Sequence, residues 1–136
     1  DGALSKVCTQ QTGGRGNTSA GFDRTGRFLL VTRYWEGGVC VLPFDADTGV
    51  VGPICSEQTF EGAGAHPLRQ SSPHPHGFHG DPRSDLVFAL DLGTDEVRQF
   101  RRRVGGALGV AREELLSDES ATRTPASNIA RTGCAS

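Results

Sequence analysis

The chain has 136 residues, 19 of them glycine and 7 proline; 35% are apolar, and 14 basic against 16 acidic side chains leave a net charge of −2. No apolar run is long enough to cross a membrane as a helix, and glycine at about twice its usual share of ~7% argues against a helical bundle, where each interior glycine costs about 1 kcal/mol. The balanced charge gives no support to a whole-protein role on nucleic acid or a membrane surface, and a turn-rich all-β protein fits best.

Taken in order, Asp1-Gly2-Ala3-Leu4 resembles Gly105-Gly106-Ala107-Leu108 and is expected to be the last strand of an incomplete unit over residues 1–14. Thr18–Phe22 then reads as an inner strand, and Asp23-Arg24-Thr25-Gly26 as a type I turn closed by glycine. Arg27–Tyr34 reads as the second strand, and its continuous apolar run Phe28–Val31 is the pattern of burial on both faces. Glu36-Gly37-Gly38 is a hairpin turn. In Val39–Phe44, Val39, Val41 and Pro43 alternate against Cys40, Leu42 and Phe44, as in a third strand. Asp45–Gly49 turns into a fourth, Val50–Thr59.

The chain matches itself at a shift of 58 residues. Asp23 falls on Asp81, Phe28-Leu29-Leu30-Val31 on Leu86-Val87-Phe88-Ala89, and Val39 on Val97. The second unit therefore has strands at Gly77–Gly80, Asp85–Leu92, Glu96–Arg102 and Ala107–Leu116. Repeats built of several short strands are propeller blades or related arrays. The expected fold is all-β, a β-propeller segment over residues 1–119. It comprises the incomplete blade 1–14, a blade at 15–60 and a blade at 74–118, followed by an irregular tail at 120–136. Two blades and a fragment cannot close a ring, so the chain, which opens on Asp1, is expected either to be part of a longer protein or to leave unclosed apolar faces open to self-association.

Cys8, Cys40, Cys55 and Cys134 form no CxxC pair and no zinc-ligand spacing, and reduced thiols in a cytoplasmic protein are the expectation. Arg98, Arg101, Arg102 and Arg103 read as a solvated strand end.

The chemically suggestive stretch is Arg69–Pro82, which holds His74, His76 and His79. On a strand, His74 and His76 project to one face and His79 to the other. An inner blade strand lines the central channel, so His74 and His76 are expected at its mouth, where an imidazole can move protons. The alternative is an ordinary loop role. The His74-x-His76-x-x-His79 spacing also approaches the zinc motif of metallo-β-lactamase folds, but Phe78 stands where that motif carries an acid, and the expectation is no metal. Asp91, at the end of its strand, is a candidate for a cation or a sugar hydroxyl, whereas Asp95 is expected to be a turn residue. Tyr34 and Trp35 could stack on a sugar ring, but packing between blades is the favoured reading.

RQSSPHPHGFHGDP followed by LVFALDLGTDEVRQF resembles the seven-bladed β-propeller lactonase family, which includes propeller-type 6-phosphogluconolactonases and fungal carboxy-cis,cis-muconate cyclases. FDRTGRFLLVTRYWEGGVCVLPFDADTGVVG is similar to the family's preceding blade. The resemblance implies hydrolysis of a sugar-acid lactone within a complete propeller, with His76 catalytic, Arg69, His74 and Asp91 contacting the substrate, and no cofactor. The alternatives are the reverse, lactone-forming cyclase chemistry, and a non-catalytic propeller fragment. Two departures are visible. Gly16-Asn17-Thr18 stands where the family usually has Pro-His, and the family's Gly-Pro-Arg-His segment does not follow Leu116.

Overall fold

The computed structural model describes residues 2–115 and 131–132. The first sheet is antiparallel and contains β1 (Ala20–Phe22), β2 (Phe28–Arg33), β3 (Gly38–Pro43) and β4 (Ser56–Thr59) in sequence order. The second repeats that meander with β5 (Pro75–Gly80), β6 (Leu86–Asp91), β7 (Glu96–Arg102) and β8 (Leu108–Leu115). The 58-residue shift carries β2 onto β6 without error, and the turns before them are built alike. Asp23 Oδ1 accepts from the backbone N–H groups of Arg27 and Phe28 at 3.1 and 3.0 Å, and Thr25 donates its hydroxyl to Oδ2. Asp81 accepts from Arg83 N–H at 3.0 Å and from the Ser84 hydroxyl. A short carboxylate that satisfies its own turn's N–H groups is the reason aspartate starts both turns.

Three expectations are corrected. The fourth strand of the first blade does not run from Val50. A single bridge joins Phe44 to Val51, and the ladder resumes only at Ser56. Pro53 lies in the gap; it has no N–H to give a neighbouring strand. Residues 2–12 form no strand. Instead Val51 N–H donates to Cys8 Sγ at 3.4 Å and Cys40 Sγ donates to Thr12 O at 3.7 Å, which ties this segment to the first sheet. The tail is not wholly irregular either: β9 (Arg131–Thr132) adds to the first sheet beside β4. The rest of the expected tail lies outside the described residues.

The main core lies between the sheets. Alternation puts Phe28, Leu30, Val39 and Val41 of the first sheet against Phe78, Val87, Ala89 and Phe100 of the second. Phe60 stacks on Phe100 with ring centroids 6.0 Å apart, and Phe78 meets Phe100 edge-on at 6.4 Å. A second cluster of Val31, Cys40 and Leu42 sits on the other face of the first sheet. Burial there pushes the Cys40 thiol pKa up to about 11, with Arg33 acting against the rise.

The arginine run is also corrected. On β7, Arg98 and Arg102 alternate onto the buried face with Phe100, and only Arg101 and Arg103 are exposed. Arg102 bonds Asp23 and Asp85 at 2.9 Å each, and its guanidinium lies over Phe28. Arg98 pairs with Glu96 and lies over Phe60.

Candidate active site

β5 carries the histidine segment along the inner edge of the second sheet, beside β1 of the first. Pro75 is opposite Asp91 and Gly77 is opposite Leu90, so His76 is the extra residue of a β-bulge. The bulge takes His76 out of the ladder and leaves it exposed, between the buried Pro75 and Gly77. Its ring stands edge-on to Tyr34, 6.1 Å between centroids.

His74 has a different environment, contrary to the expectation that both share an open face. It precedes β5 and is 9% exposed. Its ring stacks on Tyr34 at 4.5 Å and meets Trp35 edge-on at 5.7 Å. Nδ1 lies 3.1 Å from the Tyr34 carbonyl, which can only accept, so Nδ1 carries the proton. In the neutral ring, Nε2 then accepts from the Ser72 hydroxyl at 3.4 Å. With both nitrogens engaged, His74 supports the wall on which His76 leans. The pairing of Tyr34 with His74 is packing between blades, as favoured from the sequence, while Trp35 remains 64% exposed at the rim.

Asp91 is 2% exposed. Its Oδ1 accepts from His74 N–H at 2.7 Å and Gly93 N–H at 2.9 Å, and Oδ2 faces Arg98 Nε at 4.0 Å. In this structure it shapes the loop that holds His74. Asp95, at φ +55°, is the turn residue expected, and its carboxylate accepts from the Gln70 amide at 2.6 Å. Arg69 is exposed on the turn closed by Gln70 N–H donating to His66 O, and no described contact joins it to His76. His79 is exposed, and among the described residues no three His, Cys, Asp or Glu side chains gather as a metal site. The site thus brings together His76, His74, Tyr34 and the Asp91-bound loop. Tyr34 was singled out in the sequence, but its contact with the two histidines was not. The bulge was missed too, though glycine directly after His76 is a signal for one.

Gly93 is required by this arrangement. A Cβ there would drive into Ser72 O and lie 2.6 Å from His74 N, and neither backbone atom can yield. Gly93→Ala is expected to cost about 1–3 kcal/mol, as overpacking does. The loss of Tyr34 ring-current shifts on His74 in proton NMR is the accompanying signature, and unchanged shifts with full stability would refute the close approach.

The family model for lactonases of the seven-bladed β-propeller type matches residues 1–123. A 6-phosphogluconolactonase of Formosa agariphila is 30% identical over 100 residues, covering 74% of this chain and 28% of that protein. One from Bacillus subtilis is 34% identical over 83 residues, covering 61% and 23%. Among solved structures, the periplasmic gluconolactonase of Pseudomonas aeruginosa aligns with a TM-score of 0.62 at 35% identity, over 68% of this chain and 26% of that one. A candidate 6-phosphogluconolactonase of Bacteroides fragilis aligns at 0.69 and 29%, over 75% and 28%. The chain spans about a quarter of the length of these relatives. Its two four-stranded meanders are two blades, and the chain belongs to the seven-bladed β-propeller lactonase family.

Proposed function

We propose that this segment supplies the general base of a lactonase of the 6-phosphogluconolactonase type, acting on a sugar-acid lactone within a complete propeller. The observation that carries the reading is the bulge, which presents His76, exposed, at the start of an inner strand and edge-on to the part-buried Tyr34 ring. The names of the relatives support the substrate class.

In this mechanism the His76 imidazole takes a proton from water as the water oxygen adds to the lactone carbonyl carbon. The carbonyl becomes a tetrahedral oxyanion, which nearby cationic donors stabilise. Its collapse breaks the ring C–O bond, and the leaving oxygen takes the proton back from the imidazolium to give the open hydroxy acid. A phosphorylated substrate needs a basic clamp as well. Arg69 is the motif's candidate for the substrate carboxylate or the oxyanion, and arginines of other blades would complete the set.

The test is hydrolysis of 6-phosphogluconolactone by a complete propeller carrying this segment. His76→Ala is expected to lower turnover about 100-fold, the lower end of general-base contributions. Turnover close to the parent's would reject His76 as the base. A parent propeller inactive on this lactone would reject the substrate class.

A further inference from the structure

We infer that Thr18, on the neighbouring blade, is a positioning residue for His76. The inference rests on the proposed role of His76, but it concerns how the chain holds that residue in place.

β1 and β5 lie side by side without sharing a ladder, so the backbone groups on these two inner edges must find other partners. The Thr18 hydroxyl lies 3.2 Å from Pro75 O and 3.4 Å from His76 O, the two carbonyls at the bulge. Carbonyls only accept, so Thr18 donates its single proton to this pair. The Thr18–Thr32 hydroxyl contact at 2.9 Å is then donated by Thr32, whose single proton is shared with the Ser19 carbonyl at 3.3 Å. Thr32 is fully buried and accepts from the N–H groups of Thr18 and Ser19 at 3.1 and 2.8 Å. A rigid buried hydroxyl thus aims Thr18 across the seam. Ser19 adds a weaker bond at 3.5 Å from Phe78 N–H.

A bulged residue is free of the ladder that fixes its neighbours, and its direction is set by whatever holds its peptide. Here that holder comes from the other blade. Position 18 is the repeat equivalent of position 76 under the 58-residue shift, so one unit carries the imidazole where the other carries the hydroxyl that braces it.

The test is two-dimensional NOE spectroscopy on the purified chain, comparing the His76–Tyr34 cross-peaks with the His74–Tyr34 cross-peaks as an internal control. Thr18→Val keeps shape and removes the donor, and Thr18→Ala removes it without a β-branched side chain. Both are expected to lose the His76–Tyr34 peaks while keeping the His74–Tyr34 peaks. Thr18→Ser restores the donor and is expected to keep both. Retention of the His76–Tyr34 peaks in Thr18→Val or Thr18→Ala overturns the inference, as does their loss in Thr18→Ser. Loss of the His74–Tyr34 peaks in both donor-less variants also overturns it, because Thr18 would then hold the whole seam. The readout is geometric, so it is independent of lactone hydrolysis, which His76→Ala tests.

Discussion

Phe100→Ala is expected to lower unfolding stability by about 3–5 kcal/mol, the usual cost of deleting a buried phenyl ring. Phe100 is 1% exposed and stands at the centre of the layer between the blades, stacked on Phe60 and edge-on to Phe78. Deleting the ring removes contacts with both neighbours and leaves a cavity that rigid strands cannot close. Such a loss is a large fraction of a domain's usual stability of about 5–15 kcal/mol. Phe88 is the control. It lies on the opposite face of the second sheet and is only half-buried, so Phe88→Ala is expected to cost less. Urea titration monitored by circular dichroism measures both. Equal losses would mean that the two sheets do not pack through the face described.

Arg102→Met is expected to cost about 3–5 kcal/mol, because it removes the partner of the buried Asp23 carboxylate; the more exposed Asp85 keeps Arg24. The thioether keeps much of the stem's packing over Phe28, so the loss is chiefly electrostatic. Asp23 is 5% exposed and would keep its turn bonds while losing its ion pair across the seam. The pH dependence has a definite sign. Burial alone would raise the Asp23 carboxyl pKa, but the Thr25 hydroxyl, the N–H groups of Phe28 and Thr25, and the Arg102 guanidinium outweigh it and hold the pKa below 3.8. The folded state therefore binds this proton less readily than the unfolded chain, whose aspartate titrates near 3.9. The resulting stabilisation is present above about pH 3.9 and is lost as pH falls through the lower folded value. Thermal melts of the parent should show this acid limb, and Asp23→Asn should flatten it. An unchanged limb in Asp23→Asn would remove Asp23 as its source.

The stretch that holds the candidate site was singled out in the sequence, and its geometry was not legible there. His76 stood out because it occupies the histidine position of the family motif that this stretch resembles. His74 shared its strand pattern, yet it became a stacked, doubly bonded wall residue. The difference is one unpaired residue. A strand's two-residue period assigns faces only while the ladder is regular, and the bulge at His76 resets it. Asp91 was noticed for its carboxylate. What defines it is two backbone donors, which depend on how the following loop folds back. Tyr34 and Thr18 come from the other blade, some 40 and 58 positions away from the residues they contact, and local pattern carries no information across such separations.

For the fold, the sequence by itself determined the repeat, the strands β2, β3, β6 and β7 and their turns. These follow from local rules: apolar alternation, Asp-led turns, and glycine where φ is positive. Only the tertiary structure decided which faces are covered. Alternation says that Arg98, Phe100 and Arg102 share a side, not that this side is the buried one. Packing against the first sheet turned a presumed solvated arginine run into buried ion pairs. The same holds at the site, where one blade's hydroxyl and aromatic ring frame the other blade's histidine. Contacts between repeats depend on how two sheets stack, and stacking is a property of surfaces assembled from distant residues rather than of any local stretch.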